Sequence, residues 1–409
     1  EVNIEAENLI NLATYDRVEW IDPGAFPDLP ENDNTRPVTN VDDVQDAQVD
    51  GLGNLILSGG FPVYDGLSGD GITVGVDDDG IDASHPDLNV VADRPASGSH
   101  GTHVAGILAG NGVQSNGTDS LGNFNGGTPF QWRGVAPNTG LIDSGDLINS
   151  TNIFNGIQNN SLDVSNHSHA LAPDGNYNSL NQTVDQLIRG GATSGGEIVP
   201  RRPKVFSAGN GGSSSQYGNQ FGFFAITKQV KNAVVVGNWD ASDGDGNINN
   251  DILRFDSSLG PAHDGRLKPD VVAPGTNIFS TNTSNGYRTT SGTSMASPVV
   301  AGIHALLLEG WQNTYSTPLG TTIDDRPPLP STLRALLIQT AEDIVDNDVR
   351  GVTLNEIDSD NNPINGNDGL GRVTATVGPD YATGWGLVDA EAAVELMQDF
   401  RQLDGVPIP

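Results

Sequence analysis

Residues Gly292–Pro298 read Gly-Thr-Ser-Met-Ala-Ser-Pro and lead into an apolar run. Small residues on both sides of Ser294 let the backbone pack closely, and Pro298 falls in the first turn of a helix, where proline is tolerated. The pattern predicts a helix over 295–311 with Ser294 at its start, where unpaired N–H groups and the positive end of the helix dipole lie. This serine is therefore either the N-cap of a buried helix or a nucleophile.

Three other segments offer the groups that an activated serine needs. In His100–Gly106 a histidine stands where a loop becomes a helix, and it could act as general base toward Ser294. In Val74–Gly80 three carboxylates follow a buried strand, and one of them could hold the imidazole in its reactive tautomer. In Lys204–Asn210 another strand ends in an amide, which could donate a hydrogen bond to a developing oxyanion.

From about residue 70, short runs rich in Val and Ile alternate with helical segments. The runs 72–76, 204–206 and 233–236 are typical of buried parallel strands. This alternation predicts an α/β domain with a mostly parallel sheet covered by helices on both faces, and functional residues gather at the carboxyl ends of strands in such sheets. The predicted helices span residues 103–109, 180–189, 295–311, 332–345 (with Ser331 as N-cap) and 389–400.

The composition excludes several classes of protein. The 409 residues contain 19 Lys+Arg against 52 Asp+Glu, a net charge of −33, and no Cys. Nucleic-acid binding is not expected, because phosphate contacts need clustered Lys and Arg, and cysteine nucleophiles and thiolate metal sites are excluded. No stretch reaches the roughly 18 apolar residues of a membrane-spanning helix, so we expect no membrane partner. A saline environment, bound cations or an acidic solvated surface would each account for the charge.

The Asp, His and Ser segments, in that chain order, resemble the subtilisin-like serine proteases over about residues 65–395. Chymotrypsin-like enzymes run His, Asp, Ser, and α/β-hydrolases run Ser, Asp, His. The resemblance implies a three-layer subtilisin-like fold and a secreted serine endopeptidase that works through an acyl-enzyme intermediate. Position by position, it implies Asp78 as the triad carboxylate, His100 as the base, Ser294 as the nucleophile and Asn210 as the oxyanion donor.

The resemblance also implies a pocket for the substrate residue before the cut. Val164–Ala170 resembles the strand that pairs with substrate backbone, although His169 and Ala170 depart from its usual hydrophobic residue and Gly. An Asp at position 79, in place of the usual Ser or Thr, resembles the kexin and furin branch of the family, which cuts after basic residues. The segment around Ser294 resembles the subtilisin branch instead. The preferred residue therefore stays open. The expected walls of the pocket are Ser168, His169, Ala170, Ser207, Ala208 and Gly209.

The first residues of the chain differ from the rest. Val18–Pro23 resembles the last strand of a subtilase propeptide. We therefore expect a propeptide remnant or N-terminal extension over residues 1–30 and a catalytic domain over 31–409. The expected partners are protein or peptide substrates and the chain's own propeptide during maturation, and the expected oligomeric state is a monomer.

Two Asp/Asn-rich loops are candidate sites for structural calcium. Carboxylate and amide oxygens at alternate positions of a glycine-rich loop suit a hard cation, although neither loop has the Glu at its twelfth position that would complete an EF-hand. Solvated turns are the alternative. The candidate ligands are Asp243, Asp245, Asn247 and Asp251 in the first loop and Asp358, Asp360 and Asn362 in the second.

Other residues admit a functional and a structural interpretation. His103 could be combined with Asp78 in a zinc site, but the spacing is not that of metalloproteases, so a packing role is favoured. Trp385 is predicted to lie in the core. The remaining histidines are taken as structural or surface residues, namely His85, His167, His263 and His304.

Three rival functions are left open by the sequence. They are a catalytically inactive subtilase-like fold used for binding, a metal-dependent hydrolase, and an acyl-transferring ligase on the same scaffold. Every catalytic position holds a competent residue, which favours peptide hydrolysis.

Overall fold

The computed structural model of the chain describes residues 32–51, 54–94, 96–169, 176–212, 225–241, 252–315, 328–344 and 378–399. Its helices are α1 (Asn32–Val38), α2 (Val41–Gln45), α3 (Ser99–Ala109), α4 (Ser150–Asn160), α5 (Ser179–Arg189), α6 (Thr293–Tyr315), α7 (Pro330–Thr340) and α8 (Ala390–Asp399). Its strands are β1 (Leu57–Ser58), β2 (Phe61–Pro62), β3 (Thr73–Asp77), β4 (Val90–Ala92), β5 (Gly140–Ser144), β6 (Val164–His167), β7 (Thr193–Ser194), β8 (Glu197–Ile198), β9 (Lys204–Ser207), β10 (Val234–Asp240), β11 (Ile252–Leu253), β12 (Val271–Pro274), β13 (Ile278–Asn282) and β14 (Gly286–Thr290). Within these ranges, no helix is both long and apolar enough to cross a bilayer.

The central sheet has eight strands in the order β11-β10-β9-β6-β3-β5-β4, with β12 also paired to β10. Its strand pairs are parallel except for the β10–β11 pair. Every residue of β6, β9 and β12 is buried. Strands buried along their whole length are expected where helices cover both faces of a parallel sheet. The predicted α/β class with a mostly parallel sheet is therefore confirmed.

Helices cover the sheet on two sides. On one side, Val74 and Val76 of β3 lie in a core with Val104 of α3 and Val299 of α6. On the other side, α4 and α5 contribute apolar residues to a second cluster, which contains Ile142 of β5. Helix α6 also packs against α8, so it is buried on nearly all sides. Sheet and helices form the three layers that the sequence predicts.

Several predicted helix limits differ from the observed ones. The helix predicted from residue 103 begins at Ser99, which places His100 in its first turn. Helix α7 ends at Thr340, and the prediction of Ser331 as its N-cap is wrong, because Leu329 holds that position without a side-chain cap. Helix α4 was not expected, since only Ile153 and Gly156 of its residues are buried and its apolar pattern is weak.

The prediction that Trp385 lies in the core is also wrong. Trp385 is 39% exposed. Its backbone N–H donates to the carbonyl of Asp270 at 2.8 Å. The neighbouring Gly384 and Gly386 have positive φ angles of 68° and 118°. The glycine-rich turn therefore fastens this segment to the sheet through its backbone and leaves the indole at the surface.

The N-terminal part of the described chain packs on the main core. Val41 and Val44 of α2 lie in the main core, and Arg36 donates to the carbonyl of Arg133 at 2.7 Å. These contacts place the segment from Arg36 to Val44 against the central domain. The predicted extension over residues 1–30 lies outside the described residues, so the boundary stays a prediction.

Candidate active site

The carboxyl ends of three neighbouring strands bring the predicted segments to one edge of the sheet. Asp77 of β3 pairs in register with His167 of β6, and His167 pairs with Phe206 of β9. Because the pairing is parallel, Asp78 and Ser168 leave the sheet side by side. Asn210, the predicted oxyanion donor, follows from the next strand at the same edge.

Asp78 and His100 are in direct contact. Nδ1 of His100 lies 2.7 Å from Oδ1 of Asp78, with the carboxylate 4% and the imidazole 34% exposed. The hydrogen bond to Asp78 raises the pKa of His100 above its usual 6.5, although burial acts in the opposite direction. Because the carboxylate holds Nδ1, the imidazole is oriented with Nε2 as the nitrogen that can accept a proton.

Two glycines allow the loop after β3 to approach the start of α3. A Cβ on Gly98 would lie 1.9 Å from Oδ1 of Asp79, and one on Gly101 would lie 2.3 Å from the Gly80 carbonyl oxygen. The Asp79 carboxylate accepts from the Gly101 N–H at 2.7 Å. A carboxylate on the first N–H groups of a helix stabilises that end. Asp79 thus helps to fix the helix that carries His100.

Ser294 is the second residue of α6 and is half-buried. Its hydroxyl donates to the Ser168 carbonyl at 3.0 Å, and the Ser168 hydroxyl donates to the Ser294 carbonyl at 2.9 Å. The Ser294 hydroxyl therefore points to the residue that lies beside Asp78, and in this structure it donates there rather than to His100.

The amide of Asn210 is fixed beside the start of α6. Its Oδ1 accepts from both the N–H and the hydroxyl of Thr293, each at 2.9 Å. A Cβ on Gly292, where φ is 148°, would lie 3.1 Å from the amide nitrogen. Since the amide oxygen is held by Thr293, the NH₂ group is the part left to donate to a ligand.

The predicted pocket walls are only partly accessible. Ser168 is 4% and Ser207 is 1% exposed, and Ala208 is fully buried, so Ser207 and Ala208 present almost no surface to a ligand in this structure. Ser207 accepts from the ammonium of Lys228 at 3.2 Å, and burial lowers the pKa of that ammonium to about 7. Gly209 and His169 are half-buried, and Ala170 lies outside the described residues.

A second pairing of carboxylate and imidazole adjoins the first. Asp77 Oδ2 lies 3.0 Å from Nδ1 of His167 and accepts from the Leu147 N–H at 2.9 Å, while Oδ1 lies 3.4 Å from Nε2 of His169. Burial lowers the pKa of His167 to about 4. Burial alone would raise the pKa of Asp77, but hydrogen bonds from the two histidines hold it well below its usual value.

The sequence does not predict this cluster. The resemblance favours Asp78 over Asp77 as the triad carboxylate, and His167, predicted to be a structural or surface residue, is fully buried. One available signal was the spacing of His167 and His169, because residues two apart in an extended segment face the same side.

The remaining predicted residues have clear positions or lie outside the described part. His103 is fully buried, and its Nε2 lies 3.0 Å from the carbonyl oxygens of both Ile278 and Arg288, in agreement with a packing role. His85 and His304 are buried, and His263 is exposed. The candidate calcium ligands Asp243, Asp245, Asn247, Asp251, Asp358, Asp360 and Asn362 all lie outside the described residues.

Comparisons with known proteins identify the family to which the chain is similar. Residues 69–386 match the model of the subtilase family. The chain is 35% identical over 260 residues to subtilisin DY of Bacillus licheniformis, a match that covers 59% of this chain and 78% of that protein. It is 31% identical over 296 residues to the serine protease AprX of Bacillus subtilis (strain 168), covering 62% of this chain and 60% of AprX.

One solved structure supports the fold alone. The prenylagaramide maturation protease PagA superposes with a TM-score of 0.51 at 19% identity, over 80% of this chain and 93% of PagA.

Proposed function

Because the chain belongs to the subtilase family of serine endopeptidases, we propose that Ser294 is its nucleophile and that Asp78, His100 and Asn210 complete the catalytic centre. The observation that carries the proposal is the 2.7 Å contact between Asp78 and His100. Asp78 and Ser168 each follow a residue of the Asp77–His167 strand pair, and the Ser168 carbonyl accepts a hydrogen bond from the Ser294 hydroxyl.

The proposed reaction has two steps. In the first, the Ser294 oxygen attacks the substrate carbonyl carbon, Nε2 of His100 takes the hydroxyl proton, and the same nitrogen returns it to the leaving amine as the C–N bond breaks. In the second, water attacks the acyl carbon while Nε2 of His100 takes a proton from it, and the same nitrogen returns that proton to the Ser294 oxygen as the ester C–O bond breaks and the acid product leaves. Asp78 stabilises the imidazolium, and the Asn210 NH₂ group with N–H groups at the start of α6 binds the oxyanion.

Hydrolysis of casein by the purified protein tests the proposal. We expect cleavage that a serine-directed sulfonyl fluoride abolishes and that Ser294→Ala lacks. Activity that resists the sulfonyl fluoride but is lost to a chelator would instead establish a metal-dependent hydrolase. Folded protein without cleavage would favour a binding role, and transfer to added amines in preference to water would favour a ligase.

We further propose that the substrate pocket is bordered by Ser168, His169, Ala170 and Ser207–Gly209. The support is the position of Ser168 and Gly209 next to Ser294 and Asn210. Profiling the cleavage sites in a digested proteome would show which residue the pocket prefers. A preference for basic residues would agree with the similarity of Asp79 to the kexin and furin branch.

Structural calcium in the two Asp/Asn-rich loops is part of the same proposal. It is supported by the alternating carboxylate and amide side chains of the sequence. Chelation should then lower the melting temperature, because an ion that binds only the folded state stabilises it. Equal melting temperatures with and without calcium would contradict the assignment.

We also propose that the enzyme is secreted, acts as a monomer, and carries in residues 1–30 either a propeptide remnant, removed during maturation, or a retained extension. The support is the resemblance of Val18–Pro23 to the end of a propeptide. Amino-terminal sequencing of the secreted enzyme distinguishes the cases. A start near Glu31 would support removal, and a start at Glu1 would contradict it. Activity across salt concentrations would test whether the charge of −33 reflects a saline environment.

A further inference from the structure

We propose that Asp77, His167 and His169 form a binding site for a divalent transition-metal ion, with zinc as the best match. The three side chains, called the Asp77 cluster below, offer one carboxylate oxygen and two imidazole nitrogens. These donor atoms all lie within 4.8 Å of one another. None of the three has a role in the proposed proton transfer.

The spacing of the donors fits a small coordination shell. Zinc binds imidazole and carboxylate at about 2.0–2.2 Å, so neighbouring donors of a tetrahedral shell lie about 3.3 Å apart. Oδ2 of Asp77 lies 3.0 Å from Nδ1 of His167 and Oδ1 of Asp77 lies 3.4 Å from Nε2 of His169, and one donor atom from each residue lies within 4.8 Å of the other two. Mixed nitrogen and oxygen donors favour zinc and its neighbours over calcium or magnesium, which prefer oxygen alone.

The donors are held by a rigid frame. Asp77 and His167 pair in register on two central strands, and His169 follows His167 by two residues. Nε2 of His167 lies 2.8 Å from the Ser165 hydroxyl, which in turn accepts from the ammonium of Lys204 at 3.0 Å. A partner on the far ring nitrogen fixes the orientation of an imidazole that binds a metal through the other nitrogen.

An ion could reach this cluster from one side. Asp77 is 1% exposed and His167 is fully buried, but the His169 side chain is 34% exposed. Without metal, the same atoms pair Asp77 with both histidines, so the cluster can fold and then exchange those contacts for an ion. Since the proposed function puts His169 in the substrate pocket, a bound ion would also slow peptide hydrolysis.

Direct binding measurements on the full chain test the site. The Ser294→Ala chain, which cannot digest itself, is stripped of metal, supplied with excess calcium and titrated with zinc by calorimetry and with cobalt by visible absorption. We expect one zinc per chain and cobalt bands typical of four- or five-coordinate sites. His169→Ala should weaken binding by more than the roughly 10- to 100-fold typical of an outer-shell change, and Ser165→Ala by about that amount. His263→Ala, which removes an exposed histidine outside the cluster, should change nothing.

Two results of the zinc titration would contradict the proposed site. If zinc does not bind, or binds equally to His169→Ala with circular dichroism unchanged, the inference is wrong and any metal found is an adventitious ion only. In the active chain, zinc should slow hydrolysis, and a zinc-selective chelator should restore the rate. In the His169→Ala variant, added zinc should leave the hydrolysis rate equal to the rate of the same variant without metal. Because binding is read in the Ser294→Ala chain, loss of the protease proposal would leave the metal measurement intact.

Discussion

Two consecutive aspartates at the end of β3 each contact a histidine, yet their surroundings differ. Asp78 contacts His100 at the start of α3. Asp77 contacts His167 on β6 and accepts from Leu147, which packs with Ile153 of α4. Successive residues of a strand face opposite sides of a sheet, so one carboxylate serves the active-site edge and the other lies beneath the opposite layer of helices.

The two histidines have pKa values shifted in opposite directions, although each contacts an aspartate. The contact with Asp78 raises the pKa of the half-exposed His100, whereas burial lowers the pKa of His167 to about 4 despite its contact with Asp77. In addition, Nε2 of His167 is engaged by the Ser165 hydroxyl. A carboxylate beside an imidazole is therefore insufficient for catalysis. The second nitrogen must also be accessible to the reacting groups.

The largest expected difference between the two carboxylate–histidine pairs appears when each histidine is removed. His100→Ala should lower kcat by about 10⁶-fold, because no other group takes the Ser294 proton. His167→Ala should instead lower stability by a few kcal/mol, since it removes one of the polar partners of the buried Asp77 carboxylate and leaves only Leu147 and His169, and should retain far more turnover per folded molecule. Initial rates on a peptide substrate, normalised by circular dichroism, provide the check. Equal losses of kcat in two folded variants would show that the two pairs are not functionally distinct.

The second test exchanges the carboxylates. Asp78→Asn should lower kcat by about 10⁴-fold, because the amide favours the wrong tautomer of His100. Asp77→Asn is its matched control, and its main effect should be a loss of about 3–5 kcal/mol of stability from breaking a buried pair. Denaturant unfolding and kcat measured on both variants separate the two effects. A larger loss of kcat in folded Asp77→Asn than in Asp78→Asn would reverse the assignment.

A third test extends the comparison to two asparagines at the same edge. Asn210→Ala should lower kcat by about 10²- to 10³-fold through loss of an oxyanion donor. Asn166 is fully buried and accepts from the Ser297 hydroxyl at 2.6 Å. Asn166→Ala should therefore cost about 1–3 kcal/mol of stability, since it leaves a buried hydroxyl unpaired. Turnover that is unchanged in Asn210→Ala would remove this residue from the catalytic centre.

The central sheet could be predicted because its strands are continuous apolar runs, a signal carried within each segment. The edge could be predicted too, since polar residues follow β3 and β9 directly. Helix α4 could not be predicted, because its contact with the sheet depends on few apolar side chains. The exposure of Trp385 could not be predicted either, since it depends on two glycines that turn the backbone around this residue.

The Asp77 cluster shows where sequence reasoning ends. Strand β6 lies about ninety positions after Asp77 and pairs with β3 so that His167 is opposite Asp77. The sequence around Asp77 does not predict this pairing or its register. Register depends on how all the strands pack. The resemblance to subtilases indicated which aspartate to favour for catalysis, but it gave no information on the partner of the other.

The smallest expected effect is a shift in the pH dependence of kcat/KM, which reports whether Asp78 or Asp77 controls the pKa of the catalytic base. His100 must be neutral to take a proton, so kcat/KM should rise with pH through an apparent pKa above 6.5, because the contact with Asp78 favours the charged form. In Asp78→Asn the residual activity should rise at a lower pH, since burial, which lowers the pKa of His100, is then less opposed. His167, with a pKa of about 4, should contribute no step near neutral pH. A midpoint at or below 6.5 in the unmodified chain, or an equal shift in Asp77→Asn, would mean that the contact with Asp78 does not govern the base.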